Sequence, residues 1–333
     1  MHAAWYEKNG AAHDVLQTGE LPDPIPAAGE VRVRIMTSGV NPSDVKSRQA
    51  RPLIAPRIIP HSDGAGVIDA VGAGVSQGRI GERVWLWNGQ WQRPFGTAAS
   101  LIALPSVQAV QLPANTGFDA GACLGIPVLT AFHALQLLSR QIGSLAGLTI
   151  LVTGASSAVG HYVTQIATRD MGATVIGTVG SAAKAEHARR AGAVGTIDYK
   201  NQDVAAEVLR LTDGRGVAAI VDLDLSSTVA LVPTGALANH GVILCYGSNA
   251  NDVVLPFREM LFRSLALKFF VAYELTVPER VQACEGINRL LVAGMLEHAI
   301  GQRFDLDQIV AAHEAVEGAT GRIGNVVVSV DRQ

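Results

Sequence analysis

The run Leu151-Val-Thr-Gly-Ala-Ser-Ser-Ala-Val-Gly160 carries the most specific chemistry in the chain. An apolar strand passes through a turn of small residues into a helix that continues to Met171. Small side chains let the backbone approach a pyrophosphate, and the helix N-terminus presents unpaired N–H groups and partial positive charge to it. Ser156, Ser157, Ala158 and Val159 are the expected contacts, although Ser157 and Ala158 stand where glycines are usual in a Gly-x-Gly-x-x-Gly turn. The next strand, Thr174 to Thr178, ends in Val179-Gly180-Ser181, with Lys184 one helical turn on. A carboxylate at such an end holds a free ribose 2′-hydroxyl, whereas cations and hydroxyls accept a 2′-phosphate. No acid stands there, so Gly180, Ser181 and Lys184 form a candidate site for the phosphorylated ribose of NADP. Tyr199, after the third strand, is a stacking or hydrogen-bonding neighbour for the adenosine.

Positioning these groups requires a wound sheet. After about Pro127, apolar strand-like runs alternate with helical stretches: Thr149 to Thr153, Val159 to Met171, Thr174 to Thr178 and Ala182 to Ala191. The alternation continues through Gly195 to Ile197, Val204 to Leu211, Ala218 to Asp222, Ser226 to Ala238 and Val242 to Tyr246. Repeated strand and helix at this spacing predicts a parallel sheet with crossover helices. Before it, Val31 to Ile35, Val67 to Val71 and Arg83 to Trp87 read as short strands punctuated by Pro and Gly. After about Val271 come two helical stretches, Pro278 to Ala293 and Leu306 to Glu317, and a final strand, Asn325 to Val330. No helix follows that strand, so it is expected to return to the N-terminal β region.

With 333 residues the chain exceeds the size at which a single core keeps growing, and two domains are expected. Apolar residues at 48%, charged residues at 17% and a formal charge of -3 describe a compact soluble enzyme and exclude a nucleic-acid-coating or disordered chain. No apolar run reaches the roughly 18 residues that span a bilayer. Glu7, Lys8 and Asn9 occupy the place of a signal peptide's apolar stretch, which predicts a cytoplasmic protein without membrane partners. Cys123, Cys245 and Cys284 lie far apart among apolar residues and read as buried reduced thiols.

Asn41-Pro-Ser-Asp44, Pro60-His-Ser-Asp-Gly-Ala-Gly66 leading into Val71-Gly-Ala-Gly-Val75, and Gly125-Ile-Pro-Val-Leu-Thr-Ala131 precede the cradle. Tyr246-Gly-Ser248 and Gly324-Asn-Val-Val-Val-Ser-Val330 follow it. In this order they resemble the zeta-crystallin-type quinone oxidoreductases of the medium-chain dehydrogenase/reductase superfamily. The resemblance implies an α/β protein with a GroES-like β-rich substrate domain over residues 1–121, completed by 271–333. A Rossmann doubly wound parallel-sheet domain that binds NADPH would occupy 122–270. It further implies that Cys245, Tyr246, Gly247 and Ser248, with Phe270, Val271 and Ala272, lie along the nicotinamide, and that Thr130 lies near its reactive face. Lys46 and Asn325 join the expected cofactor contacts. Lys46 stands where such enzymes commonly carry Tyr.

Related alcohol dehydrogenases hold a catalytic zinc through a Cys in the segment matching Asn41 and a His in the segment matching Ser62. Neither ligand is present, nor is the four-cysteine lobe that binds structural zinc. His61, one position away, has no evident companions for the three or four ligands zinc requires, and reads as a structural histidine. No metal is expected. Without a Lewis acid, hydride removal from an alcohol is difficult, whereas a quinone or activated alkene accepts hydride through its own conjugation. The resemblance therefore predicts an NADPH-dependent reductase of quinones or similar conjugated carbonyls, assembled as a homodimer through the apolar segment Val253 to Ala272. Asn41, Asp44 and Thr130 are its candidate catalytic residues. Asn41 and Asp44 would orient the acceptor or pass a proton, and they are equally well explained as turn caps. Alternatives are an NADPH-dependent enone or alkenal double-bond reductase and a non-catalytic, crystallin-like NADPH-binding protein. Trp85, Trp87 and Trp91, with Phe95 nearby, would line an apolar acceptor pocket or fill the β core.

Overall fold

Val31, Val33 and Ile35 alternate with polar neighbours, and this period-two pattern seats the 11-residue strand Glu30–Val40 on a buried core. The strand belongs to the first of two compact units in the computed structural model, which describes residues 1–318 and 321–330. The first unit comprises Met1–Pro127 and His298–Gln333, and the second Val128–Glu297.

In the first unit a seven-stranded sheet runs in the order Ile300–Asp305, Asn325–Ser329, Glu30–Val40, Asp63–Val71, Arg83–Leu86 and Ala109–Gln111, with Leu101–Pro105 also pairing Glu30–Val40. The closing strand returns as expected: Val326 stands opposite Val40 and Ser329 opposite Thr37 in an antiparallel register. Trp85 is fully buried in the sheet, which settles its place in the interior. The strand stops at Leu86, so Trp87, expected to end it, stands in the following turn. Phe95 is exposed.

The second unit holds a six-stranded parallel sheet in the order Gly195–Asp198, Thr174–Val179, Thr149–Val152, Val217–Asp222, Leu237–Cys245 and Ala266–Phe269. Strand order reverses between Thr149–Val152 and Val217–Asp222, the switch point where such sheets bind ligands. The helix expected over Ser226 to Ala238 is interrupted. A short helix Leu225–Thr228 tightens into a 3-10 turn Val229–Thr234 that contains Pro233, Gly235 takes a left-handed φ of 86°, and the next strand begins at Leu237.

The division between units falls at Pro127/Val128 and Glu297/His298 rather than at 121/122 and 270/271. Helix Val277–Val292, expected with the β-rich part, packs on helix Leu129–Ile142 inside the second unit. Arg140 donates to Glu279 (3.0 Å) and Gln282 (2.7 Å), and Gly286 sits so close to the Phe132 ring that a Cβ there would lie 2.1 Å from it. Residues 331–333 of the expected C-terminal segment lie outside the described residues. No helix among the described residues is long and apolar enough to cross a membrane.

Candidate functional site

In the second unit, strand Thr149–Val152 leaves the sheet through Thr153 to Ser157 and enters helix Ala158–Arg169. Ser157 caps the helix, its Oγ accepting the Gly160 N–H at 3.0 Å. The N–H groups of Ala158 and Val159 have no intrahelical acceptor by geometry, which leaves two donors directed out of the helix end. Two glycines keep the turn tight here. Gly154 has φ 61° and a Cβ would lie 2.1 Å from Leu223 Cδ2, while a Cβ on Gly160 would lie 2.3 Å from the Gly154 carbonyl. The turn is anchored from below. Thr153 Oγ1 donates to Asp222 Oδ1 (2.8 Å) and accepts the Leu223 N–H (2.9 Å), and Thr228 Oγ1 donates to the same carboxylate oxygen (2.6 Å). Burial raises the Asp222 pKa against the pull of those two hydroxyls. Sequence reading missed this anchor, although an acid ending a buried strand is a visible signal.

At the end of strand Thr174–Val179, Ser181 caps helix Ala182–Ala191 and accepts the Lys184 N–H at 3.3 Å. Tyr199 covers Gly180: a Cβ there would lie 2.9 Å from Tyr199 Oη and 3.2 Å from Lys200 Cε. Gly180 thus meets Tyr199, with Ser181 next to it in the chain, and Lys200 joins them unforeseen. Its signal was adjacency to Tyr199 at a strand end. Neither Lys184 nor Lys200 has an ion-pair partner among the described residues. The nearest strand-end acid, Asp198, stands beside Val179 in register and is occupied by the Lys200 N–H (3.1 Å) and Asn201 Nδ2 (2.8 Å).

Farther along the sheet, the Phe270 N–H donates to the Cys245 carbonyl at 3.3 Å, the Tyr246 N–H to the Asp222 carbonyl at 3.0 Å and the Leu225 N–H to the Gly247 carbonyl at 3.1 Å. A Cβ on Gly247 would lie 2.4 Å from the Leu223 carbonyl, so Tyr246-Gly-Ser248 hugs the neighbouring turn. Phe270 meets Tyr246 at 6.2 Å and the edge of His133 at 5.3 Å, His133 lying on the helix that carries buried Thr130. Arg280 Nη2 donates to the Ala272 carbonyl at 2.7 Å and fixes the turn after Val271.

In the first unit, Asn41 and Asp44 form a capping box at the start of helix Pro42–Ala50, with the Asn41 N–H 2.7 Å from Asp44 Oδ2. Asn41 Nδ2 donates to Asp63 Oδ2 (2.8 Å), which also accepts the Ile126 N–H (3.0 Å). All three side chains are buried. Burial pushes the Asp44 carboxyl up to about 7, opposed by hydrogen bonds from the Asn41 and Ser62 backbones and by the Arg51 charge. Burial, and then the Asp44 charge, hold Asp63 well above the usual carboxylate range. In both acids burial favours the protonated form. Sequence reading named Asn41 and Asp44 and passed over Asp63.

His61 has a companion that the sequence could not signal, 252 positions away: its Nε2 lies 3.0 Å from His313 Nε2. Its Nδ1 lies 2.8 Å from Ser38 Oγ, which lies 2.8 Å from Thr97 Oγ1. Burial pushes His61 down to about 3, and burial with the neighbouring His61 and Arg48 charges drives His313 well below its usual value. The pair is neutral. No group of three or more His, Cys, Asp or Glu among the described residues could hold a metal ion. Lys46 is exposed on helix Pro42–Ala50, and Asn325 uses its amide to donate to the Ala299 carbonyl (3.1 Å), both within the first unit. The three thiols are free, and burial raises each of them, Cys284 to about 11.

Comparison with known proteins matches residues 27–114 to the alcohol dehydrogenase GroES-like domain and residues 158–287 to the zinc-binding dehydrogenase family. A quinone oxidoreductase of Pseudomonas aeruginosa is 31% identical over 90% of this chain and 91% of its own. A 2-haloacrylate reductase of a Burkholderia species is 29% identical over 98% of each. Among solved structures, an NAD-dependent alcohol dehydrogenase superposes with a TM-score of 0.87 at 28% identity, covering 99% of this chain and 100% of that one. A mycobacterial protein complexed with NADPH does so with a TM-score of 0.85 at 25% identity, again over 99% and 100%.

Proposed function

Because this chain belongs to the quinone oxidoreductase branch of the medium-chain dehydrogenase/reductase superfamily, we propose that it is an NADPH-dependent reductase that passes hydride to a quinone or similar conjugated carbonyl without zinc. The observation that carries the cofactor choice is the end of strand Thr174–Val179, where Ser181, Lys184, Tyr199 and Lys200 gather and Asp198 is already hydrogen-bonded. The residues present fit NADPH. A Cβ at Gly154 would crowd the Leu223 side chain, one at Gly160 the Gly154 backbone and one at Gly180 the Tyr199 hydroxyl, so none of these turn positions has room for a side chain. Ser156, Ser157, Ala158 and Val159 would hold the pyrophosphate, Ser181 and Lys184 the 2′-phosphate, and Cys245 to Ser248 with Phe270 to Ala272 the nicotinamide.

When bound, the cofactor supplies the hydride; the chain's own residues orient and exclude water. Zinc has no place in this reading, since Asn41 and Ser62 stand where relatives carry ligands and Asn41 is committed to Asp44 and Asp63. A second reading, reduction of a conjugated carbon–carbon double bond, is favoured by the acids Asp44 and Asp63. Hydride addition at the β-carbon pushes the alkene electron pair onto a proton at the α-carbon, and carboxyls in which burial favours the protonated form would be a proton reserve for that step. NADPH oxidation against a panel of neutral quinones and enones tests both readings; binding without turnover of any acceptor would leave only a crystallin-like cofactor-binding protein.

A homodimer is part of the proposal. Among the described residues strand Ala266–Phe269 pairs on one side only, and Val254, Phe257, Leu261, Phe262 and Phe269 are exposed, the features of a sheet edge that continues into a second copy. Light scattering at micromolar concentration should give twice the chain mass, and a monomer would remove this element.

A further inference from the structure

Helix Leu129–Ile142 enters the core of the second unit on an apolar run, with Leu129, Ala131, Phe132, Ala134 and Leu135 all buried. Thr130 and His133, one helical turn apart, interrupt that run with polar groups that are buried as well. Neither makes a hydrogen bond to any described residue. Buried Thr164 and Thr212, by contrast, return their hydroxyls to the Gly160 and Val208 carbonyls at 2.8 and 2.7 Å. The polar atoms of Thr130 and His133 are not sealed from solvent, as His187 Nε2 is. We infer that His133 is a specificity-determining residue of the cofactor site, where it reads the carboxamide of the nicotinamide with Thr130 beside it.

The cradle follows strand Thr149–Val152, and the Gly180 turn follows its neighbour Thr174–Val179. A dinucleotide laid across the carboxyl ends of these strands sends its other half past the switch point, toward the ends of Leu237–Cys245 and Ala266–Phe269. Tyr246 and Phe270 stand immediately beyond those two ends, with 6.2 Å between ring centres. His133 meets Phe270 edge-on, at 5.3 Å between centres and 64° between planes. Its helix packs on strand Leu237–Cys245 and on the turn Ala272–Glu274. All of these residues belong to the second unit. A carboxamide offers one carbonyl acceptor and two N–H donors. Burial lowers the His133 pKa; the Glu279 charge opposes this, and Arg140, Arg280 and Lys268 reinforce it. The ring is therefore neutral at pH 7 and keeps one bare nitrogen to accept a carboxamide N–H, while the Thr130 hydroxyl donates to the carbonyl. Packing alone gives no reason for an imidazole here, because phenylalanine would fill the place against Phe270 and leave no buried polar group unpaired.

The inference rests on the NADPH reading above, and one set of titrations separates their failures. Calorimetry gives Kd for NADP+, for its 3-acetylpyridine analogue, in which a methyl group replaces the carboxamide NH2, and for adenosine 2′,5′-bisphosphate, which lacks the nicotinamide half. The proteins are the wild type, His133→Phe, His133→Asn and Thr130→Val. The wild type should prefer NADP+ to the analogue about three- to tenfold, the usual range for one neutral hydrogen bond. His133→Phe should erase that preference, bind the bisphosphate as the wild type does, and melt at an equal or higher Tm. His133→Asn, which keeps an acceptor, should restore part of the preference. Thr130→Val should weaken NADP+ and the analogue alike, since both retain the carbonyl. No preference in the wild type, or one that survives His133→Phe, assigns His133 to packing and overturns the inference while leaving the cofactor reading in place. If the wild type binds neither NADP+ nor the bisphosphate, the cofactor reading falls with it.

Discussion

The end of strand Thr174–Val179 and the cap at Asn41 each gather polar groups, but they hold them in opposite conditions. At the strand end, Lys184 and Lys200 have no ion-pair partner among the described residues and Tyr199 is 54% exposed. At the cap, Asn41, Asp44 and Asp63 are buried and bonded to one another. Unengaged groups can read a ligand's charge, because water is the only partner they give up. Engaged, buried groups act through their protonation state, since burial shifts their titration toward neutrality. The first region should therefore respond to mutation in ligand affinity, and the second in its dependence on pH.

The largest expected effect tests the buried side. Asp44 has a folded pKa near 7, raised mainly by burial, against about 3.9 in an unfolded chain. A raised acid stabilises the fold in its protonated form, so its contribution is fully present below pH ~4 and is lost as pH rises through about 7. The loss amounts to on the order of 4 kcal/mol at most. Thermal denaturation followed from pH 4 to pH 9 should show stability falling as pH rises up to about 7, and Asp44→Asn should reduce that slope, leaving the part due to Asp63. An unchanged slope in the variant would mean that the cap does not control its own titration.

Next in size is Gly160→Val, which strikes the region where backbones converge. Its Cβ would lie 2.3 Å from the Gly154 carbonyl, a backbone atom that cannot swing aside. A loss of about 1–3 kcal/mol of stability is expected from such overpacking, together with loss of affinity for NADPH and NADH alike. Retained binding of either cofactor, measured by fluorescence titration, would show that the cradle is not where the pyrophosphate lies.

Much of this contrast was legible in the sequence. The strand, turn and helix at Thr149 to Met171 announced themselves because all the contacts that form them are local, and the missing acid after Val179 could be read directly. The closing strand, expected to return to the N-terminal β region, pairs there antiparallel with Glu30–Val40. Contacts between distant segments were not legible. His313 meets His61 and Asp63 meets Asn41 only after the sheet has formed, and neither residue's neighbours in the chain mark it. Helix Val277–Val292 shows a related limit: its sequence does not say which unit it covers, and the fit of Gly286 against Phe132 and the bonds of Arg140 to Glu279 and Gln282 seat it in the second unit.

Lys184→Ala sharpens the exposed side of the comparison. It should weaken NADPH binding about ten- to a hundredfold and leave NADH nearly unaffected, because only NADPH carries the 2′-phosphate. Ser181→Ala is expected to affect both cofactors, since Ser181 Oγ already accepts the Lys184 N–H and caps the helix. Equal losses for both cofactors in Lys184→Ala would assign the lysine to the loop's own fold.

Lys200→Ala is the smallest effect and the most discriminating. Its Cε approaches Gly180 beside the Tyr199 hydroxyl, which places a second cation at the same strand end, but the side chain is exposed and its ammonium is strongly hydrated. Exposed ion pairs contribute about 0.2–1 kcal/mol, so the expected loss is roughly 1.4- to fivefold in NADPH affinity, confined to low salt. The double variant Lys184→Ala/Lys200→Ala then decides whether the two lysines share one phosphate. Cations that grip the same group are coupled, and removing the second after the first should change affinity by a different factor than removing it alone. If the losses simply multiply, with NADH unaffected throughout, Lys200 contributes to the field at the strand end without touching the phosphate, and Lys184 alone reads it. If Lys200→Ala weakens NADH as much as NADPH, its role is to hold Tyr199 over Gly180, and the strand end recognises the adenosine ring through that residue.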